Sequence, residues 1–509
     1  MLLKKIADYY NVDKEASATI KNAEYLFYIP PIKFNRFLLF PASFGIQFML
    51  GIFYSWSGLD IPVEAYIYGD NGGIDRGINA NGFYVLIFGF GSTAALVGPL
   101  VERLGPCKAG LIGGVVYFVG ACLACIGVLS KTIAVLFVGT YVIGVGIGMC
   151  YLPPVSTLVK WFPSVTGVVC GLAVAGASAG SIVAPWLLEF LLHRLNPAMT
   201  LLAIGSLSSV VICMCSLVLR NPSKRLSANL TDPVLDETKV RQDLSQPTLL
   251  DALKSRDFIL CWIMFLCYEL SGVVIFSKIQ PLCLNQFGKT QTTASFVNSM
   301  AGISNMLGRM VVPMTSDLLR SASKGKMGRK TVFLIGFVTQ FVLILLLPTS
   351  IETKDFTTFL IVFFILIVCY ASGFALIPAL MSDMFSPSNV TATHGICLFA
   401  YSVAGVFGGV SLNAVIVAET KRMAPDLQHI YTLVLRILAG VVAVGMVCCL
   451  FVRTIVRDRM VPYAKDEVLR IRVLNGRLMR VKRDWKVELV SVADEQLEWE
   501  AYLQSTLNK

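Results

Sequence analysis

Two ionisable side chains, Arg309 and Glu269, interrupt what are otherwise continuous apolar runs. Arg309 lies eight residues before Asp317 in a stretch read as a membrane-crossing helix, a depth of about 12 Å at 1.5 Å per residue. A guanidinium at that depth is costly unless it meets a polar cavity or an ionic partner. Its planar fork matches a carboxylate through two parallel hydrogen bonds, so the chemistry it offers is recognition of an anion. The competing reading is an arginine that snorkels, or pairs with an acid, to anchor its helix. Asn305 lies four residues away on the same helical face and is the nearest polar companion for binding.

Glu269 sits twelve residues into its own apolar run, beside Ser271 and Gly272, where the helix could bend. A carboxyl taken out of water ionises less readily, so Glu269 is a candidate to load and release a proton with the substrate. A structural bond to a serine or backbone group is the alternative. Lys278, nine residues on, is about half a turn round the helix and reads as a snorkelling group rather than a partner. Gln47, Tyr54, Tyr151, Tyr370 and Tyr401 interrupt other apolar runs and are candidates to line a central cavity, although singly each also reads as interhelical glue. Of 14 cysteines, twelve fall inside apolar runs and behave as small hydrophobes, and the 3 histidines are scattered. No metal, cofactor or disulfide is expected, and with no covalent chemistry implied the chain does not read as an enzyme. No phosphate-cradling loop is seen, so gradients rather than ATP must supply the energy.

The elements that position these residues follow from composition. The chain has 509 residues, 55% hydrophobic and only 15% charged, where a soluble protein carries about 25% charged. Its apolar residues come in runs of about 20, the length of a transmembrane helix. The first 33 or so residues lack the apolar core of a cleaved secretory signal. Twelve spans are predicted, at about 37–57, 81–101, 109–129, 133–153, 165–190 and 199–219, then 258–282, 293–316, 331–348, 357–381, 394–418 and 430–452. The fold class is therefore an all-α membrane protein of twelve transmembrane helices in two six-helix halves. The expected organisation is a cytoplasmic N-terminal tail (1–36), an N-terminal half (37–219), a cytoplasmic central loop (220–257), a C-terminal half (258–453) and a cytoplasmic C-terminal tail (454–509).

A net charge of +11 first suggests a nucleic-acid partner, but that requires a basic face on a soluble domain. Of 43 Lys and Arg, 33 fall on one alternating set of tails and loops, 8 on the opposite set, and Arg309 and Arg436 inside spans. Basic loops stay on the cytoplasmic side, so both termini are predicted to be cytoplasmic and the surplus charge reports topology. The plasma membrane is the expected location, an organelle membrane the alternative. The sequons at Asn229 and Asn389 fall on the cytoplasmic side and are not expected to be used. Three landmarks recur between the halves at offsets of 215, 225 and 229 residues: Glu102 with Asp317, Gly148 and Pro153 with Gly373 and Pro378, and Gly176 and Gly180 with Gly405 and Gly409. Such a duplication, with a ligand site near the midplane, is the architecture of secondary transporters.

Gly98, Glu102, Arg103, Gly105 and Lys108 match the loop signature between helices 2 and 3 of the major facilitator superfamily, and a weaker copy follows the eighth span at Asp317 and Arg329. An acid placed there can pair with basic groups and with a helix N-terminus, forming a conformational latch. Within that superfamily the chain resembles the oxalate/formate antiporter and monocarboxylate transporter branch. The resemblance rests on Tyr54-Ser55-Trp56, on Lys160-Trp161-Phe162-Pro163 and on the small residues that follow, and it covers about four fifths of the chain. It implies that Arg309 binds the substrate carboxylate. The chain departs from the pattern where oxalate-type members carry a second cation, a position that corresponds here to Tyr401, and the first span has no lysine. One fixed cation suits one carboxylate, so oxalate exchange is disfavoured.

The expected function is secondary active transport of a small organic anion, a monocarboxylate, by alternating access, with proton symport or anion exchange. The expected partners are that anion, protons and the lipid bilayer. A carrier for an amino acid or a vitamin acid such as pantothenate is the alternative cargo reading, and a nutrient receptor that does not transport is the alternative of another class. The tail packs eleven Lys and Arg between Arg453 and Lys486 and then turns acidic, which favours a segment lying on anionic lipid over a partner-binding tail.

Overall fold

The computed structural model describes residue 9 and residues 33–69, 79–222, 249–277, 279, 282–322, 328–387, 389–411, 427–472 and 477–507. Lys278, the sequon at Asn229, most of the N-terminal tail and most of the central loop lie outside them. In the first half, α1 (Leu39–Gly51) tightens into a 3-10 run (Ile52–Leu59) and leads to a short helix α2 (Asp60–Tyr68), inside the segment read from sequence as a loop. Asp60 in the first turn of α2 complements the positive end of the helix, and Pro62 is tolerated there because first-turn amides have no partner in the helix. Five long helices follow: α3 (Ala80–Leu104), α4 (Pro106–Leu129), α5 (Ile133–Trp161), α6 (Thr166–Leu192) and α7 (Pro197–Ser216). Both α4 and α7 start on a proline, whose fixed φ suits that position.

The second half begins with a short helix α8 (Leu249–Lys254), followed by α9 (Arg256–Ser277), α10 (Gln291–Ala322), α11 (Arg329–Glu352) and α12 (Phe356–Phe385). It closes with α13 (Val390–Ala404), which widens into a π turn (Gly405–Ser411), and α14 (Leu427–Phe451). Among the described residues eleven helices are long and apolar enough to cross a bilayer. The remaining long helix is α10, 32 residues in length, which Asn298, Asn305, Arg309 and several hydroxyls make too polar to meet that measure. A helix need not be apolar all round when one face looks into protein. The helix bearing the expected anion-binding residue is thus the one least suited to face lipid.

The halves meet along two seams, α3 against α13 and α6 against α10. Close approach at the first seam depends on Gly98, where a Cβ would lie 2.5 Å from the Cα of Ala392. Gly105 has φ +85 and turns the chain from α3 into α4, a conformation that disfavours other residues.

The tail has a fold of its own, which adds a small sheet to the helical bundle. After α15 (Val456–Met460), strands β1 (Glu467–Arg472), β2 (Leu478–Lys482) and β3 (Val487–Leu489) form an antiparallel sheet in that order, and α16 (Val492–Leu507) follows. Several of its arginines are engaged with acids: Arg472 meets Asp458 at 2.6 Å, Arg470 meets Glu467 at 2.6 Å, and Arg480 pairs with Glu498. The positive charge that sequence alone assigns to lipid is, for these residues, directed inward. Arg453 joins the tail to the buried Asp257 at 2.8 Å, and Arg459 donates to the carbonyl of Met384 at 2.6 Å.

Candidate functional site

Arg309 is 1% exposed in α10. Its Nη1 donates to the carbonyl of Val174 on α6 at 2.9 Å, and its Nε has no hydrogen-bond partner among the described residues. The guanidinium carbon lies 4.9 Å from the ring centre of Phe374 and 5.8 Å from that of Tyr54, within the range over which aromatic faces attract a cation. No carboxylate is paired with it in any ion pair among the described residues. A fixed, buried cation with unused donor capacity, held by a carbonyl and two aromatic rings, is suited to an anion from outside the chain.

Beside it lies a narrow cavity of about 30 Å³. Gln47, Tyr54, Tyr151 and Tyr401 line it, with Phe53, Phe83, Phe90 and aliphatic side chains completing the wall. Phe374 links the cavity to the arginine: its ring is 4.7 Å from that of Tyr401 at 74°, and Tyr401 in turn lies 6.1 Å from Phe90. These edge-to-face pairs are the preferred geometry of aromatic rings and give the wall a defined shape. Gln47 donates through Nε2 to the Tyr151 carbonyl at 3.2 Å, but its Oε1 and the Tyr151 hydroxyl have no partner among the described residues.

Other candidates are placed differently. Asn305 accepts a hydrogen bond from the Ser178 hydroxyl at 2.7 Å, so it ties α10 to α6. Tyr370 packs edge-on to Phe374 at 6.1 Å, behind the wall and not in it. Glu269 is fully buried in α9 and rests on Gly373 of α12, with neither carboxyl oxygen hydrogen-bonded among the described residues. The neighbouring serine that sequence offers as a partner, Ser271, donates instead to Gln340 at 2.9 Å. Tyr151 and Tyr370 both lie within electrostatic reach of Glu269 and of Arg309. Glu189 and His193 form an exposed pair at 4.0 Å.

The latch residues gather at the end of the bundle that also holds Tyr9 and the tail module. Glu102 receives Lys160 at 2.6 Å and the Thr391 hydroxyl from the other half. Asp317 accepts from the Val168 amide, across the second seam, at 2.8 Å. Arg329 is buried and contacts Asp317 at 2.8 Å, Asp383 at 2.8 Å and Thr166 at 2.5 Å. Arg103 donates to the Tyr9 carbonyl at 2.8 Å, whereas Lys108 is exposed and joins no ion pair among the described residues. Asp383 and Lys160 are the latch partners that sequence reading does not assign. Thr391, the acceptor-motif threonine of the second sequon, is fully buried in the latch.

The Major Facilitator Superfamily model matches residues 39–325 and 322–487, most of the chain. The chain belongs to the major facilitator superfamily. Similar relatives of this facilitator include the uncharacterised MFS-type transporter YhjX of Escherichia coli, 22% identical over 73% of this chain and 86% of that protein. The oxalate:formate antiporter of Oxalobacter formigenes is 22% identical over 74% and 84% respectively, and monocarboxylate transporter 12 of Xenopus laevis 26% over 61% and 68%. These names agree with the branch that the sequence motifs resemble. Among solved structures, the proton:xylose symporter XylE superposes with a TM-score of 0.62 at 14% identity, covering 79% of this chain and 94% of that one. At that identity the likeness concerns the fold.

Proposed function

We propose that this facilitator carries a small organic anion with one carboxylate across the membrane by alternating access. The observation that carries the reading is Arg309, a buried cation in no ion pair among the described residues, set between the halves beside a cavity lined by uncharged side chains. The halves rock about this point, and the charged contacts around Glu102 and Asp317 hold one side shut while the cavity end admits substrate. The distribution of basic residues supports placing that latched side, with both termini, in the cytoplasm, and the plasma membrane is the proposed location. The name of the Oxalobacter relative raises exchange of a dicarboxylate. Arg309 as the buried cation beside the cavity, with Tyr401 in the cavity wall, favours a monocarboxylate.

Glu269 is the proposed proton carrier. Its carboxyl is fully buried with no hydrogen-bond partner among the described residues, and substrate arriving near Arg309 changes the field it experiences. Uptake into reconstituted vesicles, measured for lactate, pyruvate, formate, oxalate, pantothenate and amino acids with and without an imposed pH gradient, tests the reading. Monocarboxylates should be taken up. The Glu269→Gln variant should keep exchange at equal pH but lose the extra accumulation that an inward proton gradient drives. Gradient-driven accumulation that survives in this variant assigns the proton elsewhere.

A further inference from the structure

The sheet of the tail module is inverted relative to an ordinary half-solvated sheet. Cross-strand register places Arg470, Arg480 and Glu488 on one face, and Leu469, Ile471, Met479, Val481, Val487 and Leu489 on the other. The charged face is occupied: Arg480 pairs with Glu498 of α16, and Arg472 reaches Glu495 of α16 at 3.1 Å and Asp458 of α15 at 2.6 Å. On the apolar face none of the six side chains is buried, and Val487 and Leu489 are 60% and 57% exposed. A sheet with one solvated face normally turns its polar residues there. A contiguous apolar face left open is therefore a contact surface. Trp485, 83% exposed in the turn between β2 and β3, extends it.

We propose that this face docks on an anionic bilayer surface beside α14. Three observations commit it to lipid. First, the module is tethered at the membrane: α14 ends at Phe451, Arg453 is already pinned to the buried Asp257, and β1 lies against α14. Val444, Val447 and Leu450 of that helix are exposed, so the sheet adjoins an apolar surface that already meets lipid chains. Second, the turn that carries Trp485 also carries Arg483 and Lys486, both exposed, and residues 477–489 hold five Lys and Arg against two acids. Tryptophan is enriched where lipid meets water, and each basic residue near an anionic surface strengthens binding about fivefold. Third, with strands ~4.8 Å apart and ~3.4 Å per residue, three short strands cover on the order of 250 Å², against about 800 Å² per partner in a stable protein interface. The face is too small to hold a second copy or another protein by itself, whereas a tethered module needs no such area to rest on a bilayer.

The test uses the whole chain in nanodiscs whose lipids carry bromine on their acyl chains, either phosphatidylcholine alone or phosphatidylcholine mixed with phosphatidylserine. Trp485 is one of 6 tryptophans, and the difference in emission between the native chain and Trp485→Phe isolates it. An apolar face docked at the interface sits about 5–10 Å into the boundary between headgroups and acyl chains. Bromine should therefore quench at least about half of the Trp485 emission in the mixed lipid, and less of it in phosphatidylcholine alone. Replacing both Val487→Gln and Leu489→Gln should weaken docking about tenfold, with a matching loss of quenching, at an unchanged melting temperature because both side chains are exposed. Trp485 emission that bromine quenches in neither lipid overturns the proposal, and so does quenching that the double variant leaves unchanged. Shielding of Trp485 from bromine and from aqueous acrylamide alike also overturns it, by assigning the face to a second copy of the chain.

Discussion

Replacing Arg309 by lysine should weaken substrate affinity about 10- to 100-fold while leaving the protein folded. Lysine keeps the positive charge but offers a single ammonium where the guanidinium offers a planar pair of donors. Losing one hydrogen bond to a charged group costs roughly 1.5–3 kcal/mol, which is that factor in a binding constant. The native side chain also donates to Val174 and lies against Phe374 and Tyr54, so a purely anchoring role would appear differently. It would lower the melting temperature of Arg309→Lys in detergent without changing the KM for uptake. A raised KM at near-native melting temperature supports the carboxylate role. Unchanged KM assigns Arg309 to holding α10 against α6.

The second large effect is expected at the latch. Arg329 is buried and satisfies Asp317 and Asp383 together, and through Thr166 it also reaches the other half. Arg329→Met keeps the length and removes the cation, which strands two carboxylates near each other. Breaking a buried ion pair by deleting one partner destabilises by about 3–5 kcal/mol. The loss falls on the latched state, because the contacts to Thr166 and Val168 exist only while the halves are together at this end. The native Cys170 gives the readout. It is fully buried on α6, two residues beyond Val168 and within electrostatic reach of Arg329, Asp317 and Asp383. Maleimide labelling followed by peptide mapping should show Cys170 modified much faster in Arg329→Met than in the native chain. Equal, slow labelling in both would mean that Arg329 does not hold this end shut.

Much of this arrangement is legible in the sequence because the bilayer imposes a simple rule: apolar runs of fixed length, with charges only where they are needed. Arg309 and Glu269 stand out for that reason, and so do the acids of the loop signature. What pairs with those acids is not legible. Thr391 lies 289 residues from Glu102, and Asp383 lies 54 from Arg329, and nothing local distinguishes these side chains from other polar residues at helix ends. Phe374 and Phe90 are hidden for the opposite reason: in an apolar run, a phenylalanine facing a cavity reads the same as one facing lipid. Asn305 shares a helical face with Arg309, but face position fixes direction only to within a turn, and the closer Ser178 takes its carbonyl oxygen. The tail module did leave a signal. Leu469 and Ile471, Met479 and Val481, and Val487 and Leu489 alternate with polar residues as strands do, and they fall opposite one another in the sheet. The density of basic residues obscures that period.

The central claim, that this chain carries a monocarboxylate by alternating access, is tested most directly by counterflow. Vesicles holding the purified protein are loaded with an unlabelled monocarboxylate and diluted into a trace of the same acid carrying a label, with no pH or ion gradient. A carrier with one site that faces each side in turn exchanges internal for external substrate, so the label should accumulate inside above its external concentration and then decay. Saturable binding of the acid without transient accumulation would contradict the claim and favour a receptor that binds its ligand and does not move it.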